Sequence, residues 1–210
     1  MQINLLTASD ASQYRELMLE AYAQAADAFT STAEERAKEP LSWWVKRIAH
    51  PEGLCVAFGA TEGSALIGTV ALEYSAKPKT KHSGLLIGMY VRQRARGTGV
   101  AMALLQAAVS HAVARPGINV ITLTVTEGNE SALRLYRRAG FAAWGTEPIA
   151  ISRQVAIKAK FICGELSSAA NLRPNPSLRR SANGRRPGPV WWYAVHFHQP
   201  GPGVLPLSPA

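Results

Sequence analysis

The chain has 210 residues, 47% of them hydrophobic and 18% charged, which is typical of a soluble globular protein with one core. No apolar run approaches the roughly 20 residues that a membrane-spanning helix needs, and the first residues lack a basic segment followed by an apolar one. We therefore expect no membrane helix, no secretory signal and a cytoplasmic location. Neither of the two cysteines, Cys55 and Cys163, belongs to a cluster with metal-ligand spacing, so we expect no metal site.

Residues 167–210 differ in composition from the rest of the chain. They contain five arginines, no acidic residue and eight of the 13 prolines, so they account for most of the net charge of +9. We therefore divide the chain into a domain, residues 1–166, and an extension, residues 167–210. Disorder, packing against a partner and an extension without an adapted role all fit this composition. Single-stranded nucleic acid could stack on its aromatic residues Trp191, Trp192, Tyr193 and Phe197, but we do not expect nucleic acid to be the main partner.

The first part of the domain is predicted to be mainly helical. A short strand, "INLLT", precedes a helix that Ser9 or Asp10 would cap. Thr32 and Glu35 have the spacing of a capping box, which predicts a second, short helix that ends at Pro40. A third helix, "LSWWVKRIAH", follows, and we expect its tryptophans to pack in the core.

Strands dominate after residue 51, where the hydrophobic pattern changes to period two. Two strands form a predicted hairpin across "EGS", and a third strand, a long helix, a fourth strand, a short helix and final strand material follow. Their segments are "LCVAFGAT", "ALIGTVALEY", "GLLIGMYV", residues 97–114, "NVITLTV", "NESALRLYRRAG", "FAAWGT" and "IAISRQVAIKAKFI". This order predicts an α/β fold with a central mixed, mostly antiparallel sheet flanked by helices.

The long helix begins at a glycine-rich turn, "RGTG", which has the features of an anion-binding site. Gly97 and Gly99 allow a ligand to approach the backbone, and the first turn of the helix offers unpaired N–H groups beside the positive end of its dipole. Arg96 adds a permanent positive charge. The turn lacks the phosphate-binding patterns of P-loop and dinucleotide-binding folds, and a purely structural turn remains an alternative.

Two motifs resemble those of the GNAT family of N-acetyltransferases. Arg96, Gly97, Thr98, Gly99, Val100 and Ala101 fit its R/Q-x-x-G-x-G/A motif directly after a strand. Further along the chain, "NESALRLYRRAGF" is similar to the family's N-x-x-A-x-x-L-Y-x-x-x-G-F signature, which begins here at Asn129 and includes Tyr136. The resemblance covers roughly residues 1–165 and implies the GNAT fold.

The resemblance implies that acetyl-CoA enters a gap beside the strand before the glycine turn. The main chain of Met89, Tyr90 and Val91 would pair with the pantetheine arm, and Asn129 would help to hold it. The backbone from Arg96 to Ala101 would bind the pyrophosphate.

The resemblance also implies direct attack of an amine on the thioester. Backbone N–H groups on the Tyr90 strand would stabilise the oxyanion, and Tyr136 would protonate the departing thiolate, unless it is only a packed aromatic. Glu73 is our first candidate for the general base, with Glu127 and His82 as further candidates. Each could instead be a solvated or paired residue, and water-mediated proton loss or an acceptor of lower pKa stays open.

The acceptor is predicted to be a primary amine of a small molecule or a protein. Phe29, Thr30, Glu35 and Glu147 are candidate contacts. A different class of function is also open, since an acyl-CoA-binding sensor or partner domain would keep the same cofactor motifs without acceptor chemistry. A homodimer is expected if the extension replaces the last strand and leaves a sheet edge unpaired.

Overall fold

The computed structural model describes residues 1–152 and 157–166, and the extension after residue 166 lies outside them. The strands form one seven-stranded sheet in the order β1-β2-β3-β4-β5-β7-β6. Their bounds are β1 Gln2–Leu5, β2 Cys55–Glu62, β3 Ala65–Tyr74, β4 Ser83–Val91, β5 Val120–Thr126, β6 Ala142–Ser152 and β7 Ile157–Leu166. The helices are α1 Ala11–Gln24, α2 Ala33–Ala37, α3 Leu41–Ile48, α4 Val100–Ala114 and α5 Glu130–Arg138.

The sheet is mixed and mostly antiparallel, as predicted. Only β4 and β5 run parallel, and every other neighbouring pair is antiparallel. The hairpin between β2 and β3 turns at Gly63, whose φ of +59° is a left-handed conformation that suits glycine. This arrangement confirms the predicted fold class.

Capping residues explain where the first helices begin. The Thr32 hydroxyl accepts the Glu35 N–H at 3.1 Å and the Glu35 carboxylate accepts the Thr32 N–H at 2.9 Å, which confirms the predicted capping box. The prediction for α1 was less accurate. A 3-10 turn, Ala8–Asp10, precedes the helix, and Asp10 accepts the N–H of Thr7 at 2.7 Å rather than capping α1 with its side chain.

The helices cover both faces of the sheet and create two cores. On one face α4 buries Leu104, Leu105, Ala108 and Ala112 against the strands. On the other face α1 and α3 pack together, and Trp44 of α3 lies edge-on to Tyr14 of α1 with ring centroids 6.0 Å apart. Trp44 is buried, as expected, but Trp43 is only partly buried.

The last strands lie within the described sheet. β7 pairs with β5 on one side and with β6 on the other, so the unpaired edges are those of β1 and β6. The premise behind the expected homodimer, a missing last strand, is therefore not met, and the oligomeric state stays a prediction. No helix in the described ranges is both long and apolar enough to cross a bilayer.

Candidate active site

A cleft opens in the sheet because β4 and β5 pair along only part of their length. Three residue pairs join them: Ser83 with Val120, Gly84 with Ile121, and Leu85 with Thr122. Beyond these pairs β4 continues along β3, while β5 continues along β7. The two parallel strands thus diverge towards their carboxyl ends, as the family resemblance implies.

A β-bulge at Gly88 accompanies this divergence. Ile87 pairs with Ala71 and Tyr90 pairs with Thr69, so Gly88 and Met89 together face the single residue Val70. Gly88 has a φ of +63°, which a residue with a Cβ adopts only with strain. The sequence analysis missed Gly88, although a glycine inside a strand is a recognised signal of a bulge.

The cleft has a volume of about 220 Å³ and combines residues from four parts of the chain. One wall is the β4 segment 86–89 and the other is the β5 segment 124–126. Helix α5 contributes Asn129, Ala132 and Tyr136. The region of the first three helices contributes the remaining residues: Tyr22, Ala28, Phe29, Thr30, Ser31, Arg36 and Arg47. Two of the predicted acceptor contacts, Phe29 and Thr30, therefore share a cleft with the predicted catalytic Tyr136.

Helix α5 presents the second motif to the cleft. Asn129 caps the helix, and its Oδ1 accepts the Ala132 N–H at 3.2 Å and the Ser131 hydroxyl at 3.0 Å. Tyr136 lies two turns further along and is buried, with its ring edge-on to Phe141 at a centroid distance of 5.8 Å. The helical spacing of Asn129, Ala132 and Tyr136 thus places one face of α5 on the cleft.

The glycine-rich turn at the start of α4 is open to a ligand. Gly97 and Gly99 have φ values of +80° and +88°, and a Cβ at either position would have no atom within 4 Å. The first turn of α4 contains no acidic residue and receives no side-chain cap, since the Thr98 hydroxyl donates to the Ala95 carbonyl at 2.8 Å. The N–H groups of this turn can therefore donate to an anion.

Arg96 is held between this turn and the end of β4. Its Nε donates to the Val91 carbonyl at 2.9 Å, and its guanidinium carbon lies 5.7 Å from the centre of the Tyr90 ring. The Tyr90 side chain is buried on the α1 side, with its hydroxyl 3.0 Å from Glu20 Oε1 and 3.0 Å from Gln24 Oε1. The side chain of Tyr90 is therefore engaged with α1, and it is not among the residues that line the cleft.

Glu73, the first candidate base, is not among the residues that line the cleft. Its carboxylate is half exposed and lies 3.7 Å from the Arg47 guanidinium, which does line it. Glu127 lines a neighbouring depression with residues 23–28. His82 precedes β4 at the end where β4 and β5 are paired, and its carbonyl accepts the N–H of Asn119. The structure therefore brings none of the three carboxylate or imidazole candidates into the cleft lining.

The other predicted acceptor contacts also lie outside this lining. Glu35 is engaged in its capping box, and Glu147 belongs to β6. Arg36 and Arg47 were not singled out from the sequence, because an arginine in an amphipathic helix is ordinarily a solvated surface residue. Among the described residues, no cluster of three His, Cys, Asp or Glu side chains could hold a metal ion.

Burial also changes the pKa of one residue that lines the cleft, Tyr22. Burial raises the pKa of Tyr22 above its ordinary value, while the positive charges of Arg47 and Arg36 act in the opposite direction. Since the net shift is upward, the Tyr22 hydroxyl keeps its proton at neutral pH and can donate a hydrogen bond.

Comparison with known families shows which family the chain belongs to. The model of the acetyltransferase (GNAT) family matches residues 16–141, which include both motifs. This chain belongs to the GNAT acetyltransferase family. Both the glycine turn and the α5 signature lie within the matched residues.

Solved structures share the fold of this GNAT protein at low sequence identity. A GNAT-family acetyltransferase from Streptococcus pneumoniae is 20% identical with a TM-score of 0.66, covering 79% of this chain and 98% of its own. The ribosomal-protein-alanine N-acetyltransferase from Brucella melitensis is also 20% identical with a TM-score of 0.66, covering 79% and 99%. The yncA protein from Salmonella typhimurium, solved with its cofactor acetyl-CoA, is 17% identical with a TM-score of 0.67, covering 80% and 94%. A search of the curated proteins finds no significant match.

The bulge at Gly88 generates a prediction with a matched control. Gly88→Ala should lower the free energy of unfolding by about 1–2 kcal/mol, because alanine is strained at positive φ. It should also lower acetyltransferase kcat/KM by at least roughly 10-fold, because the resemblance implies that N–H groups on this strand stabilise the oxyanion. Gly63→Ala introduces the same strain in the β2–β3 hairpin, where a Cβ has open space, and should leave kcat/KM unchanged. Denaturant unfolding and initial-rate kinetics measure the two effects, and equal activity losses in both variants would contradict a role for the bulge.

Proposed function

We propose that this chain transfers the acetyl group of acetyl-CoA to the primary amine of an acceptor by direct attack. The observation that carries the proposal is the divergence of β4 and β5 at a cleft that α5 lines with Tyr136. The open glycine turn that follows β4 supports it. Membership of an acetyltransferase family supports the reaction class. The sensor alternative predicts acetyl-CoA binding without acetylation of any amine.

The residues around the divergence fit acetyl-CoA. The pyrophosphate would bind the backbone of Arg96, Gly97, Thr98, Gly99, Val100 and Ala101, where the two glycines leave the approach open. The pantetheine amides would pair with the main chain of Met89, Tyr90 and Val91 along the β4 edge that β5 leaves. Asn129 would donate from its Nδ2, since its Oδ1 already accepts two hydrogen bonds.

The chemistry follows from the groups that surround the cleft. The neutral amine forms a bond to the thioester carbonyl carbon, and N–H groups at the β4 bulge stabilise the resulting oxyanion. When the C–S bond breaks, the Tyr136 hydroxyl gives its proton to the thiolate, and free CoA leaves. The amine proton passes to a base or to water, and Glu73 is our proposed base because it lies next to Arg47 at the edge of the cleft.

Acetyl-CoA binding is the first test of this proposal. Calorimetric titration should show acetyl-CoA binding to the wild-type protein and roughly 10- to 100-fold weaker binding to Arg96→Gln, because a hydrogen bond to a charged group contributes about 1.5–3 kcal/mol. Arg94→Gln is the control, since Arg94 is two residues away and pairs with Glu62 at 3.0 Å. It should bind acetyl-CoA like the wild type. A folded wild-type protein that does not bind acetyl-CoA would overturn the proposed function.

Tyr136→Phe tests the general acid. The variant keeps the ring contact with Phe141 and should lose roughly 10²-fold in kcat, with little change in acetyl-CoA affinity. Tyr74→Phe removes a buried hydroxyl that has no hydrogen-bond partner within the described structure, and it should leave kcat unchanged. Release of the CoA thiol gives the rate, and a fully active Tyr136→Phe variant would refute the assigned role.

Glu73→Gln tests the general base through its pH dependence. We expect kcat/KM to fall by roughly 10²-fold at pH 7, and by less near pH 10, because an amine with a pKa of about 10.4 increasingly loses its proton unaided. Glu62→Gln breaks the exposed pair with Arg94 and serves as the control. A loss that is independent of pH, or one confined to the acceptor KM, would instead make Glu73 a positioning residue for Arg47.

A further inference from the structure

We propose that the acceptor is a small amino acid-like amine whose carboxylate binds between Arg36 and Arg47. This inference rests on the proposed function and specifies its acceptor. Among the described residues that line the cleft, Arg36 and Arg47 are the charged ones, and no carboxylate accompanies them there. The helix side of the cleft is therefore positively charged, opposite to what a polyamine or a lysine-rich segment requires.

The acidic neighbours of the two arginines only partly compensate for their charge. Glu39 lies 3.6 Å from Arg36 and Glu73 lies 3.7 Å from Arg47, beyond the usual length of a charge-assisted hydrogen bond. Both carboxylates stand outside the cleft lining. A ligand carboxylate in the cleft would thus meet two guanidinium groups without displacing an acidic residue from the lining.

The two guanidinium groups are held in place by one aromatic ring. The Arg36 guanidinium carbon lies 4.6 Å from the centre of a Trp43 ring, and that of Arg47 lies 5.4 Å from it. These are cation–π distances, and they bring residues from α2 and α3 together at the cleft. Trp43, which is only partly buried, therefore packs against both arginines.

Further contacts orient Arg36 and leave part of it unsatisfied. One terminal nitrogen donates to the Ser31 hydroxyl at 2.7 Å, and the Thr32–Glu35 capping box fixes the start of α2. The Arg36 Nε is buried and has no hydrogen-bond partner within the described part of the chain. Because the Nε is closed off from solvent, a ligand carboxylate would bind the terminal nitrogens of Arg36 rather than its Nε.

The polar groups beside the arginines complete a site for a carboxylate. Tyr22 keeps its hydroxyl proton and lines the cleft together with Thr30 and Ser31. Each of these hydroxyl groups can donate to an anion. The volume of about 220 Å³ that the acceptor shares with the acetyl group suits a small molecule better than a folded protein segment.

The first test compares acceptors with and without a free α-carboxylate. CoA release is followed with L-methionine and L-phenylalanine against their α-amides, and with spermidine and a peptide with an N-terminal glutamate. We expect each free amino acid to have a kcat/KM at least 10-fold above that of its amide, and spermidine and the peptide to be poorer than both amino acids. Equal or faster acetylation of the amides, of spermidine or of the peptide would overturn the proposed acceptor.

The second test removes the positive charges individually. Arg36→Gln and Arg47→Gln should each raise the KM for the free amino acid at least 10-fold and leave the KM for its amide within twofold. Arg47→Lys should recover part of this loss, because it restores the charge without the bidentate geometry. Lys46→Gln removes an exposed charge from the same helix and should behave as the wild type. Equal KM changes for amino acid and amide would contradict a carboxylate contact.

Acetyl-CoA titration separates the failure of this inference from the failure of the proposed function. Each arginine variant should bind acetyl-CoA with the wild-type affinity, which also shows that it is folded. A wild-type protein that binds acetyl-CoA and acetylates only amines without an anionic group, or none of the acceptors tested, would overturn the inference about the acceptor. A wild-type protein that does not bind acetyl-CoA would overturn the proposed function itself.

Discussion

The early end of the β4–β5 pairing is the constraint on which the rest of the site depends. Two parallel strands that stayed paired would fill the sheet with main-chain hydrogen bonds and leave no space between the β4 and β5 walls. Here the pairing ends after Leu85 and Thr122, and the bulge at Gly88 turns β4 away. Main-chain groups that would otherwise bind a neighbouring strand become available to an extended ligand.

The two helical layers give the cleft two chemically different sides. On one side, α5 lines the cleft with the buried Tyr136. The open N-terminus of α4 follows β4 through the glycine turn. On the other side, the region from α1 to α3 brings Arg36 and Arg47, both held by Trp43. We interpret the first side as the one for the nucleotide and the leaving thiol, and the second as the one that selects the acceptor.

Much of the fold could be predicted from the sequence, as could the segments that we propose hold the cofactor, because those features are local. The hairpin across Gly63, the helix after Gly99 and the Thr32–Glu35 capping box each follow from short-range backbone preferences. The two motifs around Arg96 and Tyr136 are likewise contiguous segments. Asp10 stands at the predicted N-cap position of α1, but its side chain bonds to Thr7 in the preceding 3-10 turn, a detail that residue preferences alone do not specify.

The sequence by itself determined the fold class, the order of the elements, the family motifs and the residues of the glycine turn, since each depends on periodicity or on spacing along the chain. Only the tertiary structure decided which distant residues meet. It paired Glu73 with Arg47, directed Tyr90 towards α1, and gathered Arg36, Trp43 and Arg47 at one cleft. These contacts join α1, α2 and α3 to one another and to the sheet. The physical reason is that packing between layers, rather than position in the sequence, sets the neighbours of a side chain there.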